Sequence, residues 1–187
     1  MPKRTTALLF LLIGLGCSSA PLPILGEVPD FAFTDQTGKT IHRQDLVGKA
    51  WVVDFIYTGC SDFCPLMTEK MSQLRRKLQK KSGDIQFVSF SVDPVNDTPE
   101  RLAAFARNFD VDPSQWFFLT GPMKEIEDTV VHGFKTSLGK GSDYQIAHSN
   151  YFVLVDRRAR IRGYFDFNEK DGLEKIERAV YSVLKEP

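Results

Sequence analysis

The sequence predicts one α/β domain built on an open sheet, and three observations carry that reading. Two short runs rich in β-branched and aromatic residues, 51–57 and 85–92, are each followed by a stretch whose apolar residues recur at helical spacing. Farther on, the runs 151–156 and 160–167 are joined by a tight turn and lead into a last helical pattern, which reads as an antiparallel pair followed by a helix. With 187 residues, 42% of them hydrophobic and 26% charged, the chain can bury one sizeable core and is short for two.

Taken in order, the elements justify themselves by local chemistry. Lys3 and Arg4 precede an apolar run, 7–15, broken by Gly14. It has the length of a signal-peptide core and falls short of the roughly 20 residues of a spanning helix. Residues 1–17 therefore read as an export signal, and the proline-bearing stretch 18–27 as an extended tether ahead of a domain at 28–187. Residues 31–34 and 39–42 form a β-hairpin around Asp35, Gln36, Thr37 and Gly38. The buried strand 51–57 is bounded by Gly48 and Gly59, and Pro65 suits a first helical position, where its missing N–H costs nothing. In that helix Met67, Met71, Leu74 and Leu78 make the inward stripe, and the two methionines read as core filler before they read as ligands. After strand 85–92, Thr98 caps a helix with Pro99 at its start and Leu102, Phe105 and Phe109 on its apolar face; Asp93 and Asp97 read as turn and cap residues. Strand 116–120 precedes a helix at 124–134, and the last helix, capped by Asp171 with Glu174, buries Leu173, Ile176, Val180 and Leu184.

Two strands each followed by a helix, then an antiparallel pair and a terminal helix, is the element order of a thioredoxin-like fold, here with an N-terminal β-hairpin extension and an inserted helix at Pro99. In such a sheet the reactive crevice lies at the carboxyl ends of the strands, where Cys60 and Cys64 fall. Lysine plus arginine balances aspartate plus glutamate at 24 each, so no nucleic-acid partner is expected. The stretch L-I-G-L-G-C-S-S resembles a bacterial lipobox, with Gly14 and Leu15 standing where that pattern has leucine and a small residue. The resemblance implies lipidation of Cys17 as the mature N-terminus and a membrane-anchored domain in the periplasm or at the cell exterior. An oxidising compartment of that kind permits a Cys60–Cys64 disulfide.

The cysteine pair is the centre of the chemistry. Placed at a helix N-terminus, Cys64 meets the positive end of the helix dipole, which favours the thiolate, the form that attacks disulfides and binds metals. Three functional classes compete with an inert structural disulfide. A thiol-disulfide oxidoreductase normally carries C-x-x-C and a proline before the facing strand; this chain has C-x-x-x-C and offers His148 in that place. Peroxide reduction needs Pro and Thr at set distances before the cysteine, and neither register supplies them. Metal binding by two thiolates and an imidazole suits copper(I) better than structural zinc, which wants a fourth protein ligand. Of the three histidines, His42 sits at a polar hairpin end and His132 among Val130, Val131 and Phe134, where surface and packing duties come first. His148 alone would read as a capping or core residue.

D-F-A-F-T-D-Q-T-G-K, V-D-F-I-Y-T-G-C-S-D-F-C-P, S-V-D-P-V-N-D-T-P-E-R-L and A-H-S-N-Y-F-V-L-V-D together resemble the Sco/SenC/PrrC family of copper chaperones for cytochrome c oxidase, over about residues 29–184. The resemblance implies that Cys60, Cys64 and His148 are copper ligands and that Cys60 and Cys64 form the disulfide of an oxidised state. It also implies delivery of copper to the dinuclear copper site of oxidase subunit II. An exported thiol-disulfide oxidoreductase or redox sensor acting on a partner's cysteines is the alternative.

Overall fold

The structure, a computed structural model, describes residues 20–136 and 150–186. Its centre is β4 (Ala50–Ile56), all seven residues buried, paired in parallel with the equally buried β5 (Ile85–Ser91) from Ala50 opposite Ile85 to Ile56 opposite Ser91. The crossover between them is α2 (Phe63–Lys77). A second crossover, α3 (Pro99–Ala106), takes the chain from β5 to the parallel β6 (Trp116–Thr120). Thr98 caps α3 by accepting from the Arg101 amide, with Pro99 first in the helix, as expected. On the other side β7 (Tyr151–Val155) runs antiparallel to β4, β8 (Arg160–Asp166) pairs with β7, and α5 (Gly172–Leu184) packs back on both. Strands β5, β4, β7 and β8 with α2 and α5 make the thioredoxin-like unit that the element order implied.

The predicted hairpin forms from β2 (Ala32–Asp35) and β3 (Thr40–His42). The Asp35 carboxylate closes its loop by accepting from the Thr37 and Lys39 amides, and Gly38 supplies a positive φ of 84°. The hairpin adds antiparallel to β6, beyond α3, and the Gln36 carboxamide continues that seam by bonding Trp116 O and Phe118 N. A short α1 (Arg43–Leu46) links it to β4.

Alternation along β4 divides the core in two. Val52 and Ile56 face α2, α3 and α5 with Cys60, Cys64, Met67, Met71, Phe152 and Ile176. Trp51, Val53 and Phe55 face the hairpin and α4 (Met123–Glu127) with Phe33, Phe90, Ile126 and Phe134. Met67 and Met71 are thus core residues, 3% and 0% exposed.

Three local expectations are revised. Pro65 is the third residue of α2, still within the turn whose amides lack helical partners. The helix predicted at 124–134 begins at Met123 and passes into a π-helical turn at Asp128–Gly133. The expected capping box of α5 is absent, because the Asp171 carboxylate pairs with Lys175 (3.1 Å) and Glu174 with Lys77 (3.3 Å).

A larger difference concerns the stretch expected to be a free tether. Leu25 N bonds Ile161 O (2.8 Å), and β1 (Gly26–Glu27) then adds as an edge strand antiparallel to β8. Among the described residues the sheet therefore has eight strands in the order β1-β8-β7-β4-β5-β6-β2-β3. Arg162, 2% exposed, reaches Leu22 O and Pro23 O with the same guanidinium that pairs with Asp156 and Glu186. From Leu22 onward this stretch is part of the fold.

Candidate metal centre

Parallel β4 and β5 end side by side, and the Val92 amide extends their ladder to Ile56 O (2.9 Å). Beyond Ile56 the chain leaves the sheet in a turn from Tyr57 to Cys60, closed by Cys60 N to Tyr57 O (3.2 Å). The next residues start α2, so Cys60 lies just ahead of the helix and Cys64 is its second residue. Both thiols are free and buried, Cys60 at 7% exposure and Cys64 at 1%. The Cys64 amide donates to Cys60 Sγ (3.3 Å), and Thr68 Oγ1 bonds Cys64 O (2.8 Å) inside the helix.

This geometry moves the activated sulfur. The sequence placed the helix-terminal advantage on Cys64, but amides at the start of the helix point at the residue ahead of it. Burial pushes the Cys60 thiol up, and amide donors from Cys64, Asp62 and Phe63 with the Cys64 thiol outweigh it, leaving Cys60 below the usual thiol value. Cys64 is driven well up, first by burial and then by Cys60 and the carboxylate of Asp54. Burial and the neighbouring Cys60 also raise the Tyr57 phenol to about 12, so it remains a protonated hydroxyl beside the sulfurs.

Two acidic residues stand out. Asp97, read from sequence as a turn or cap residue, is 0% exposed and accepts from the Thr58 amide (3.1 Å), the Thr58 hydroxyl and the Ser91 hydroxyl (2.6 Å); Asp93 keeps the turn duty, taking the Asn96 and Asp97 amides on its carbonyl. Asp54, in the middle of β4 on the cysteine face, was not singled out by sequence. It too is 0% exposed, and neither carboxylate oxygen has a hydrogen bond of ordinary geometry, although Ser89 lies directly across the strand pair. Burial lifts its carboxyl to about 7, partly offset by that Ser89 hydroxyl. The signal available in advance was a lone acid inside the apolar run W-V-V-D-F-I-Y.

The structure brings Cys60 and Cys64 together. His148 and Cys17 lie outside the described residues. His42 and His132 are exposed, and His42 lines a cleft with Pro29, Phe33 and Glu125 on the opposite face of the sheet from the cysteines. Among the described residues no cluster of three histidine, cysteine or acidic side chains could hold a metal ion. What the described residues offer is a pair of adjacent, sheltered sulfurs, a donor set suited to a soft, low-coordinate ion and also to a disulfide. No described helix is long and apolar enough to cross a membrane.

Residues 25–184 match the SCO1/SenC family. The SCO1 protein homolog of Bacillus subtilis is 40% identical over 158 residues, covering 82% of this chain and 81% of its own. Among solved structures, BsSco, in which a disulfide switch is described and which is called a member of the Sco family of cytochrome c oxidase assembly proteins, superposes with a TM-score of 0.77 at 36% identity; the match covers 88% of this chain and 95% of that one. Bradyrhizobium japonicum ScoI with copper bound gives a TM-score of 0.70 at 27% identity, over 84% and 99%. A family match across nearly all of the described domain shows that the chain belongs to the SCO1/SenC family.

Proposed function

We propose that the chain is a copper carrier whose cargo is held by Cys60, Cys64 and His148 and delivered to the dinuclear copper site of cytochrome c oxidase subunit II during assembly. The observation that carries the reading is the pair of free, buried sulfurs at the ends of the central parallel strands, 3.3 Å from Cys60 Sγ to the Cys64 amide. A copper-bound relative with the same fold supports it. The protein's part is to bring two thiolates together, keep water from them, and leave the third ligand to the segment that precedes β7. An export signal at 1–17 and lipidation of Cys17 would hold the domain on a membrane surface in the periplasm or at the cell exterior, where the recipient site lies.

The reduced protein, offered copper and zinc in competition, is expected to take up one copper, and Cys60→Ser or Cys64→Ser to abolish tight binding. The disulfide form is expected not to load, because two of the three ligands are consumed. His148→Ala should weaken copper affinity while the disulfide still forms. Undiminished uptake by fully disulfide-bonded protein would remove this site. Mass spectrometry of the mature N-terminus tests the lipid on Cys17.

A second reading, a thiol-disulfide reductase or redox sensor acting on a partner's cysteines, is favoured by one observation: the Cys64 amide donates to Cys60 Sγ, which favours the thiolate of Cys60, while Cys64 is the more deeply buried of the two. If His148→Ala kept wild-type copper affinity, this reading would lead.

A further inference from the structure

The turn that carries Cys60 is held from outside itself. Its own bond, Cys60 N to Tyr57 O, leaves the Thr58 amide without a partner in the turn, and both oxygens of Asp97 take it, at 3.2 and 3.1 Å. The Thr58 hydroxyl bonds the same carboxylate, and the Ser91 hydroxyl completes it at 2.6 Å. Asp97 lies 39 residues away in sequence, in the loop between β5 and α3. Its amide bonds Asp93 O (2.9 Å), and its neighbour Thr98 caps α3. The carboxylate is thus fixed to the sheet through Ser91 and to a helix start through Thr98. Three donors converge on it, which suits an acceptor-only group and not an amide, whose NH2 would oppose one of them.

We propose that Asp97 is the positioning residue for Cys60: by clamping Thr58, two residues ahead, it fixes the turn that presents the Cys60 sulfur to Cys64. A link between residues four apart tolerates little misplacement, since disulfide geometry is narrow and so is the spacing of two sulfurs on one metal. Loss of the clamp lets the turn drift while the Cys64 sulfur stays fixed in α2. The inference rests on Cys60 and Cys64 being the working pair, as the proposed function has it. It concerns a residue whose carboxylate bonds Thr58 and Ser91 and acts on the sulfur through Thr58.

The test compares Asp97→Asn, Thr58→Val, Thr58→Ser and the Asp97→Asn/Thr58→Val double variant. Two constants are read: the equilibrium of the Cys60–Cys64 disulfide against the glutathione couple in metal-free protein, and the rate of copper(I) loss to a chelator. Asp97→Asn and Thr58→Val are expected to lower the disulfide equilibrium constant and speed copper loss by about ten- to a hundredfold, the scale of a misplaced reacting group. Thr58→Ser keeps both donors and should behave as wild type. The double variant should be no worse than its worse parent. Lowered urea stability with both constants unchanged would overturn the proposal, as would full additivity of the two substitutions. Should Asp97→Asn fail to fold, Thr58→Val decides, because it removes one hydroxyl at nearly constant volume. A protein that holds no copper but shows the disulfide effect refutes the carrier reading and leaves the clamp standing.

Discussion

Asp54 pits one buried residue against the stability of the domain. Its carboxyl rises from 3.8 to about 7 on folding, so the fold favours the neutral acid. A raised carboxyl contributes stability that is complete below the unfolded value and is lost as pH climbs to the folded one; above about pH 7 the fold carries the whole cost of a buried charge. That cost is on the order of 4 kcal/mol. Asp54→Asn is therefore expected to flatten the rise in urea sensitivity between about pH 4 and pH 7, and to leave the protein more stable than wild type above that window. Parallel stability-against-pH curves for the two proteins would show that Asp54 is compensated in a way its unbonded oxygens do not reveal. At the sulfurs, the sheltered Cys64 and the amide-assisted Cys60 should differ in alkylation rate by about tenfold or more near neutral pH, read by peptide mapping after partial reaction. Equal rates would mean that the donors of the first helical turn do not single out Cys60.

The elements that carry these residues differ in how plainly the sequence announced them. Thr98 and Pro99 were legible because a cap and a first-position proline act within three residues, and Thr98→Ala should cost about 1 kcal/mol in chemical denaturation. A change below a few tenths would show that the 3.4 Å bond to the Arg101 amide is idle. Strands β4 and β5 and the inward stripe of α2 were legible for the same reason, since periodicity records which side of an element meets the core. Bonds between distant residues leave no such trace. Thr58 and Asp97, or Leu22 and Arg162, read separately as turn, cap, tether and strand residues, and only the assembled sheet joins them across 39 and 140 positions. The cap predicted for α5 failed because Lys175 competes for Asp171, a rivalry between neighbours that a motif does not weigh. The cysteine pair was legible as C-x-x-x-C-P, but which of its sulfurs the helix start favours depends on where the amides of α2 point.

For the molecule as a whole, Arg162 is the knot that ties both ends of the described chain to the sheet. It gathers Leu22 O, Pro23 O, Asp156 and Glu186 at 2% exposure, so Arg162→Ala strands buried acceptors and a carboxylate. Removing one partner of such a buried pair typically costs about 3–5 kcal/mol. The expected outcome is a lower thermal midpoint with protease cleavage appearing first in residues 22–27; cleavage elsewhere would mean that the N-terminal strand holds on without the arginine. The same strand has a consequence for how the protein behaves in a crowd. The chain carries no net charge and has a pI of about 6.8, so electrostatic repulsion does little to keep copies apart near neutral pH. Its sheet ends instead in two-residue β1, flanked by Pro21, Pro23 and Pro29, and in three-residue β3, from which α1 turns the chain away. Neither border offers a row of amides and carbonyls long enough to recruit a strand from another copy. Among the described residues the borders of the sheet thus discourage pairing between copies, and replacing Pro23 and Pro29 with threonine should make the protein more prone to precipitate near its isoelectric point.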